Sequence, residues 1–238
     1  MMDAIARLYL GRLLRSPRGR AFMLHFMVQA EEGDELGVFD ALLARVDDPE
    51  LNKLVRVHRD DETRHAAMLR ECLQRNGLEP EPVPPELHVV ARIGHHAGGV
   101  GESFVDGRAT VMQMYLLLQV IEERGVRQFP KIAKAMRPFD PESAAVIDRI
   151  TRDEERHVKY AKAISRRYAP DGDTLERELT RLRTAERRAF EENGRALLAF
   201  AVERGLDASH GLERLAWRVL ATSAPCEPRA LRQPSSQH

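Results

Sequence analysis

Two stretches of the 238-residue chain, at 61–65 and 153–157, carry the same pattern, Asp-Glu-x-Arg-His. The bare Glu-x-x-His within it is a weak signal, since chance alone yields on the order of one match in a chain of this composition. The extended pattern is far rarer, with a chance expectation of roughly one in a hundred chains, and here it occurs twice. On a helix, the spacing sets a carboxylate and an imidazole one turn apart on one face, able to reach a common metal centre.

The surrounding sequence supports helices. Apolar residues recur at spacings of three and four through most of the chain, while aromatic and alternating strand-like segments are scarce. This reads as an all-α protein with long helices over 18–45, 49–76, 106–136, 141–168 and 174–204, and shorter ones at each end. Asp48-Pro49-Glu50 and Asp140-Pro141-Glu142 each supply a capping carboxylate, a proline at the first helical position and an acid in the first turn. Asn76-Gly77 and Asp171-Gly172 supply stops, and Asp173 with Glu176 resembles a capping box opening the fifth helix. Connections are short except for 78–103, a proline- and glycine-rich stretch long enough to cross the length of a bundle. The reading is one domain over 1–222, with its core at 18–168 and additional helices at 174–222, followed by a disordered tail at 223–238.

The third and fourth helices repeat the first and second. Gln29, Glu32 and Phe39 match Gln119, Glu122 and Phe129 at an offset of 90, whereas Pro49, Asp61, Glu62, Arg64 and His65 match Pro141, Asp153, Glu154, Arg156 and His157 at 92. This register chooses between neighbouring acids. Glu32 over Glu31, and Glu122 over Glu123, sit three residues after a glutamine and seven before a phenylalanine in both copies. The expected ligands are therefore Glu32, Glu62, His65, Glu122, Glu154 and His157, a carboxylate-rich set suited to iron or manganese. Asp61 and Asp153 are placed to accept the second ring proton of the histidine on the opposite helix, with Arg64 and Arg156 holding those aspartates. Gln29 and Gln119 are expected to hydrogen-bond the ligand carboxylates. His25 and Tyr115, seven residues before Glu32 and Glu122, are candidates to line the same cavity, Tyr115 as a redox or hydrogen-bonding residue. Glu35 is a candidate extra ligand.

On these residues the chain resembles the ferritin-like di-iron carboxylate superfamily, whose motif is one glutamate followed by Glu-x-x-His, repeated. The resemblance covers 18–168. It implies a four-helix bundle with a long crossover between its second and third helices, here with an additional long C-terminal helix. It also implies two iron ions, with manganese–iron or another divalent pair as variants. The Asp-Glu-x-Arg-His form is similar to the oxygen-activating branch, although the chain is smaller than the large monooxygenase subunits. It is closer in size to rubrerythrin-like proteins and small hydroxylases, but no rubredoxin cysteine cluster follows the bundle. The expected activity is oxidation or hydroxylation of an organic small molecule with dioxygen or peroxide, using an external electron donor. The alternatives are a peroxidase or ferroxidase, and a non-catalytic metal-binding bundle.

Composition narrows the remaining choices. Thirty-seven basic residues balance 37 acidic ones, giving no electrostatic case for nucleic acid or an anionic membrane as partner. Two cysteines far apart, Cys72 and Cys226, indicate neither a disulfide framework nor a thiolate metal site, and fit a cytoplasmic protein. The longest apolar run, 115–121, is too short to span a bilayer. A homodimer through an outer helix face is compatible with the pattern.

Overall fold

In the computed structural model the secondary structure of the described residues is helical, with no strand among them. The structure describes residues 2–32, 35–77, 83–84, 87, 89–98 and 110–222, without the side chains of 2–7, 35, 36, 90, 91 and 220–222. The elements are α1 (Met2–Arg15), α2 (Pro17–Glu32), α3 (Glu35–Leu43), α4 (Pro49–Asn76), α5 (Val89–His96), α6 (Val111–Met136), α7 (Pro141–Arg167), α8 (Gly172–Arg204) and α9 (Gly211–Thr222). Among the described residues, no helix is long and apolar enough to cross a membrane.

The helix ends follow from local chemistry. The Asp48 carboxylate accepts from the Glu50 and Leu51 amides at 3.0 and 3.3 Å, leaving Pro49 where its missing N–H costs nothing. Asp140 does the same for Ser143 at α7. Gly77 closes α4 at φ 61°, a left-handed conformation that a side chain would disfavour. Of the helix expected over 18–45, α2 and α3 cover Pro17–Glu32 and Glu35–Leu43, and residues 33 and 34 lie outside the described residues. One expectation changes. α8 is capped by Asp171, whose carboxylate accepts from the Thr174 amide at 2.7 Å, rather than by the Asp173–Glu176 pair. Part of the long crossover forms α5, which packs on α8. Most of the rest of that crossover, residues 106–109 and the tail at 223–238 lie outside the described residues.

α2 packs along α4 and α6 along α7, and α4 meets α7, so these four helices surround a common interior. α4 and α7 each face it with a stripe of fully or nearly fully buried residues at alternating spacings of three and four. On α4 the stripe runs Val55, His58, Glu62, His65, Leu69 and Cys72; on α7 it runs Ile147, Ile150, Glu154, His157, Ala161 and Ile164. Both therefore pass from apolar to ionisable and back to apolar.

The apolar ends belong to two separate clusters. One holds Leu51 and Val55 of α4, the apolar residues of α6 from Met112 to Ile121, and Ala161 and Ile164 of α7. The other holds Leu69, Cys72 and Leu73 of α4, Ala133 and Met136 of α6, and Ile147 and Ile150 of α7. The start of α4 thus shares its cluster with the end of α7, so these helices run antiparallel and the ionisable segment lies between two dry plugs. Each fully buried Leu, Ile or Phe in those plugs contributes about 1.5–3 kcal/mol. They can carry a polar centre that is costly on its own.

Candidate metal centre

The ionisable segment contains seven side chains that each expose 5% or less of their surface: Glu31, His58, Glu62, His65, Glu122, Glu154 and His157. Glu31 comes from α2 and Glu122 from α6; α4 supplies His58, Glu62 and His65, and α7 supplies Glu154 and His157. They form two groups of four that share Glu62. One is His58, Glu62, Glu122 and His157; the other is Glu31, Glu62, His65 and Glu154. Within each group, one ligating atom per residue lies within 4.8 Å of all the others.

Two of the three imidazoles present the same edge, Nδ1, to the carboxylates. His65 Nδ1 lies 3.3 Å from Glu31 Oε2 and 3.2 Å from Glu154 Oε1. His157 Nδ1 lies 2.9 Å from Glu154 Oε2 and 3.2 Å from Glu62 Oε1. His58 enters through Nε2, 2.9 Å from Glu122 Oε1 and 3.1 Å from Glu62 Oε1. Although so closely surrounded, the buried Glu62 Oε1 and Glu154 Oε1 form no hydrogen bond of acceptable geometry. Donor atoms that crowd together without pairing well are what a metal ion between them requires. Three imidazoles and four carboxylates gathered in this way could hold a metal ion.

The outer edges of two imidazoles are tied down. His65 Nε2 meets Asp153 Oδ2 at 3.3 Å and His157 Nε2 meets Asp61 Oδ2 at 3.2 Å, so each aspartate serves the histidine of the opposite helix. Arg64 donates to Asp61 at 2.5 Å and Asp153 at 3.0 Å, and Arg156 donates to Asp61 at 2.6 Å and Asp153 at 3.0 Å. The four side chains make a closed ring of alternating charge. It holds the Asp61 carboxyl down at about 2 despite partial burial, through Arg64, His157 and Arg156. Because the aspartates accept at Nε2, the Nδ1 lone pairs are left for the interior.

Burial and Coulombic crowding set the protonation of the metal-free cluster. Burial, reinforced by the neighbouring Glu62 carboxylate, pushes Glu31 well above the usual carboxyl range. Glu62 is equally buried, but the facing imidazoles of His157, His58 and His65 outweigh that and hold it well below. Burial opposes charge on His157, yet Glu154 and Glu62 raise it to about 10; His65 is raised as well. On His58 burial prevails and its pKa falls.

Glu32 is not in the centre. Its side chain is 40% exposed and pairs with Arg70, while Glu31 points inward. The register that favoured Glu32 rested on matching Gln29 and Phe39 to Gln119 and Phe129, and such matches do not decide which of two adjacent acids turns inward. Gln119 does not hold a cluster carboxylate either: its amide donates to Glu123 at 3.0 Å, and Glu123 faces outward to Arg183 and Lys162. Gln29 is half-buried, with an Oε1 that accepts no hydrogen bond among the described residues, and His25 is half-buried on α2. The Glu35 side chain lies outside the described residues. Tyr115 is buried one ring away from the cluster, 6.5 Å from Tyr160 between centroids.

Sequence reasoning missed His58 and Tyr160. The signal for His58 was present, since it lies on the α4 core stripe between Val55 and Glu62. Tyr160 packs its ring 5.4 Å from that of His58 and 5.8 Å from that of His157, and burial with the nearby Glu122 charge raises its phenol so that it stays neutral. Phe39 closes on His58 from another side, with centroids 4.6 Å apart. No family model, curated protein or solved structure matches this chain.

Proposed function

We propose that this chain is a ferritin-like di-metal carboxylate protein, an oxidoreductase that holds two iron ions and uses dioxygen or peroxide to oxidise an organic small molecule. The observation that carries the reading is the pair of four-donor groups sharing Glu62, with two of their histidines backed by crossed aspartates. Burying seven ionisable groups costs several kcal/mol per ion even after relaxation, and an apolar core of the same volume would be as stable or more so. Such a cluster is kept for its chemistry.

Glu62 is placed to touch both positions and the other six donors to complete them. Asp61 and Asp153 fix the ring orientation of His157 and His65, and the arginines keep those aspartates ionised. Phe39 and neutral Tyr160 exclude bulk water on the His58 side. When bound, the metals would supply electron transfer to dioxygen or peroxide, with electrons from an external donor. The two long helix pairs, α2 with α4 and α6 with α7, support the ferritin-like reading of the fold.

Anaerobic loading with ferrous iron, metal counting and rapid mixing with oxygen test the proposal. About two ions per chain are expected in the parent, with loss of both in Glu62→Ala and loss or strong weakening in Glu154→Ala. No bound transition metal, or unaltered binding in both variants, would sink it. Continued oxidation of added ferrous iron, or of a small reductant with peroxide, in the absence of any organic substrate would move the assignment to ferroxidase or peroxidase.

A further inference from the structure

The two halves of the interior are not equivalent. The α4 stripe maps onto the α7 stripe at an offset of 92: Val55 onto Ile147, Glu62 onto Glu154, His65 onto His157, Leu69 onto Ala161. At one place within this run the chemistry changes class, because His58 falls on Ile150. Both are buried, His58 at 1% and Ile150 at 0% exposure. One group of donors therefore has two imidazoles and two carboxylates, the other one imidazole and three carboxylates.

We propose that His58 is a metal ligand confined to one position, dividing the centre into an imidazole-rich position that prefers late first-row ions and a carboxylate-rich position that does not. This rests on the metal-centre reading above. His58 Nε2 reaches the carboxylates of both Glu62 and Glu122 from the same side as His157, whose ring centroid is 3.9 Å away. Imidazole donors raise affinity for cobalt or zinc over manganese more than carboxylates do. An added imidazole thus separates the positions by metal identity and by affinity. His58 is also held differently from the other two histidines, as its buried Nδ1 finds no hydrogen-bond acceptor among the described residues. Without that outer partner its orientation comes from packing against Phe39 and Tyr160.

The competing role for His58 is purely that of a hydrogen-bond donor to Glu122 and Glu62, which would leave two positions of similar preference. Anaerobic calorimetric and visible-absorption titration with cobalt(II) and with manganese(II) separates the two. For the parent protein, cobalt is expected to fill the positions in two resolved steps and manganese in steps much closer together. In His58→Ala the first cobalt step should weaken by at least about tenfold while the second is retained, and the cobalt visible spectrum of that first step should change as one nitrogen donor is lost. His58→Gln keeps a donor to Glu122 and Glu62 but removes the imidazole, so it should behave like the alanine variant; if His58→Ala does not fold, it carries the test alone. Two cobalt steps of parental affinity in the glutamine variant, or a single unresolved step for two cobalt ions in the parent, overturns the division while leaving the metal centre intact. No cobalt uptake by the parent overturns both.

Discussion

Each side chain at the centre of this molecule surrenders hydration worth several kcal/mol, and its neighbours recover that only where geometry is good. Glu31 and Glu32 illustrate how sharply one residue can divide: a 100° step around α2 carries one carboxylate to His65 and leaves the other in solvent with Arg70. Surface pairs of the latter kind are worth about 0–1 kcal/mol. Replacing Glu32 by Gln should leave metal affinity within about twofold and thermal stability nearly unchanged. Replacing Glu31 by Gln removes an anionic donor from one position and should weaken its metal by tenfold or more, on the order of the effects seen for supporting residues. Calorimetric titration of the two variants side by side checks the assignment; equal effects would reject it.

At the scale of elements, what could be read beforehand and what could not have a common physical origin. Glu62 with His65 and Glu154 with His157 were legible because each pair lies within one unbroken helix, where spacing fixes the face. The crossed aspartates were legible because the two copies share an offset. Glu31 was not, since the matches at Gln29 and Phe39 favoured its neighbour, and residue identities shared by two copies do not fix which of two adjacent acids a helix turns inward. Tyr160 was hidden because its place beside His58 and His157 depends on how helices pack, which spacing within α7 does not specify. Gly19, near the start of α2, shows a second constraint that pattern reading overlooks. A Cβ there would run into the backbone carbonyl of Leu13 and lie 2.8 Å from that of Leu206, so α1 and the turn after α8 approach α2 only because the residue is glycine. Gly19→Ala should destabilise the fold by about 3 kcal/mol, at the upper end for overpacking, read as a drop in thermal midpoint. An unchanged midpoint would mean that these backbones can part at little cost.

For the whole molecule, the protonation of the centre would link folding to the proposed metal uptake. In the metal-free state the cluster carboxylates hold His157 protonated up to about pH 10, well above the ordinary 6.5, and His65 is shifted the same way. A histidine whose pKa is raised on folding contributes stability that is full below about 6.5 and fades as pH climbs through its folded value. The metal-free protein should therefore lose thermal stability between about pH 7 and pH 10. Metal affinity should rise across the same window, because ligation needs neutral imidazoles, and uptake at pH 7 should release about two protons or more. Calorimetry in buffers of different ionisation enthalpy counts them; zero net release would contradict the protonated histidines. On the acid side Asp61, held near 2, contributes stability that is lost as pH falls from about 4 towards 2.

The ring of Asp61, Arg64, Asp153 and Arg156 has the reciprocity of an interface between two identical subunits. Asp61 serves His157 as Asp153 serves His65, and Arg64 reaches Asp153 as Arg156 reaches Asp61. In a symmetric dimer of half-length chains, every substitution at such an interface would appear twice and the two donor groups could never differ. Joining the halves in one polypeptide lifts that restriction, so the contact can keep its twofold logic while a histidine stands on one side and an isoleucine on the other.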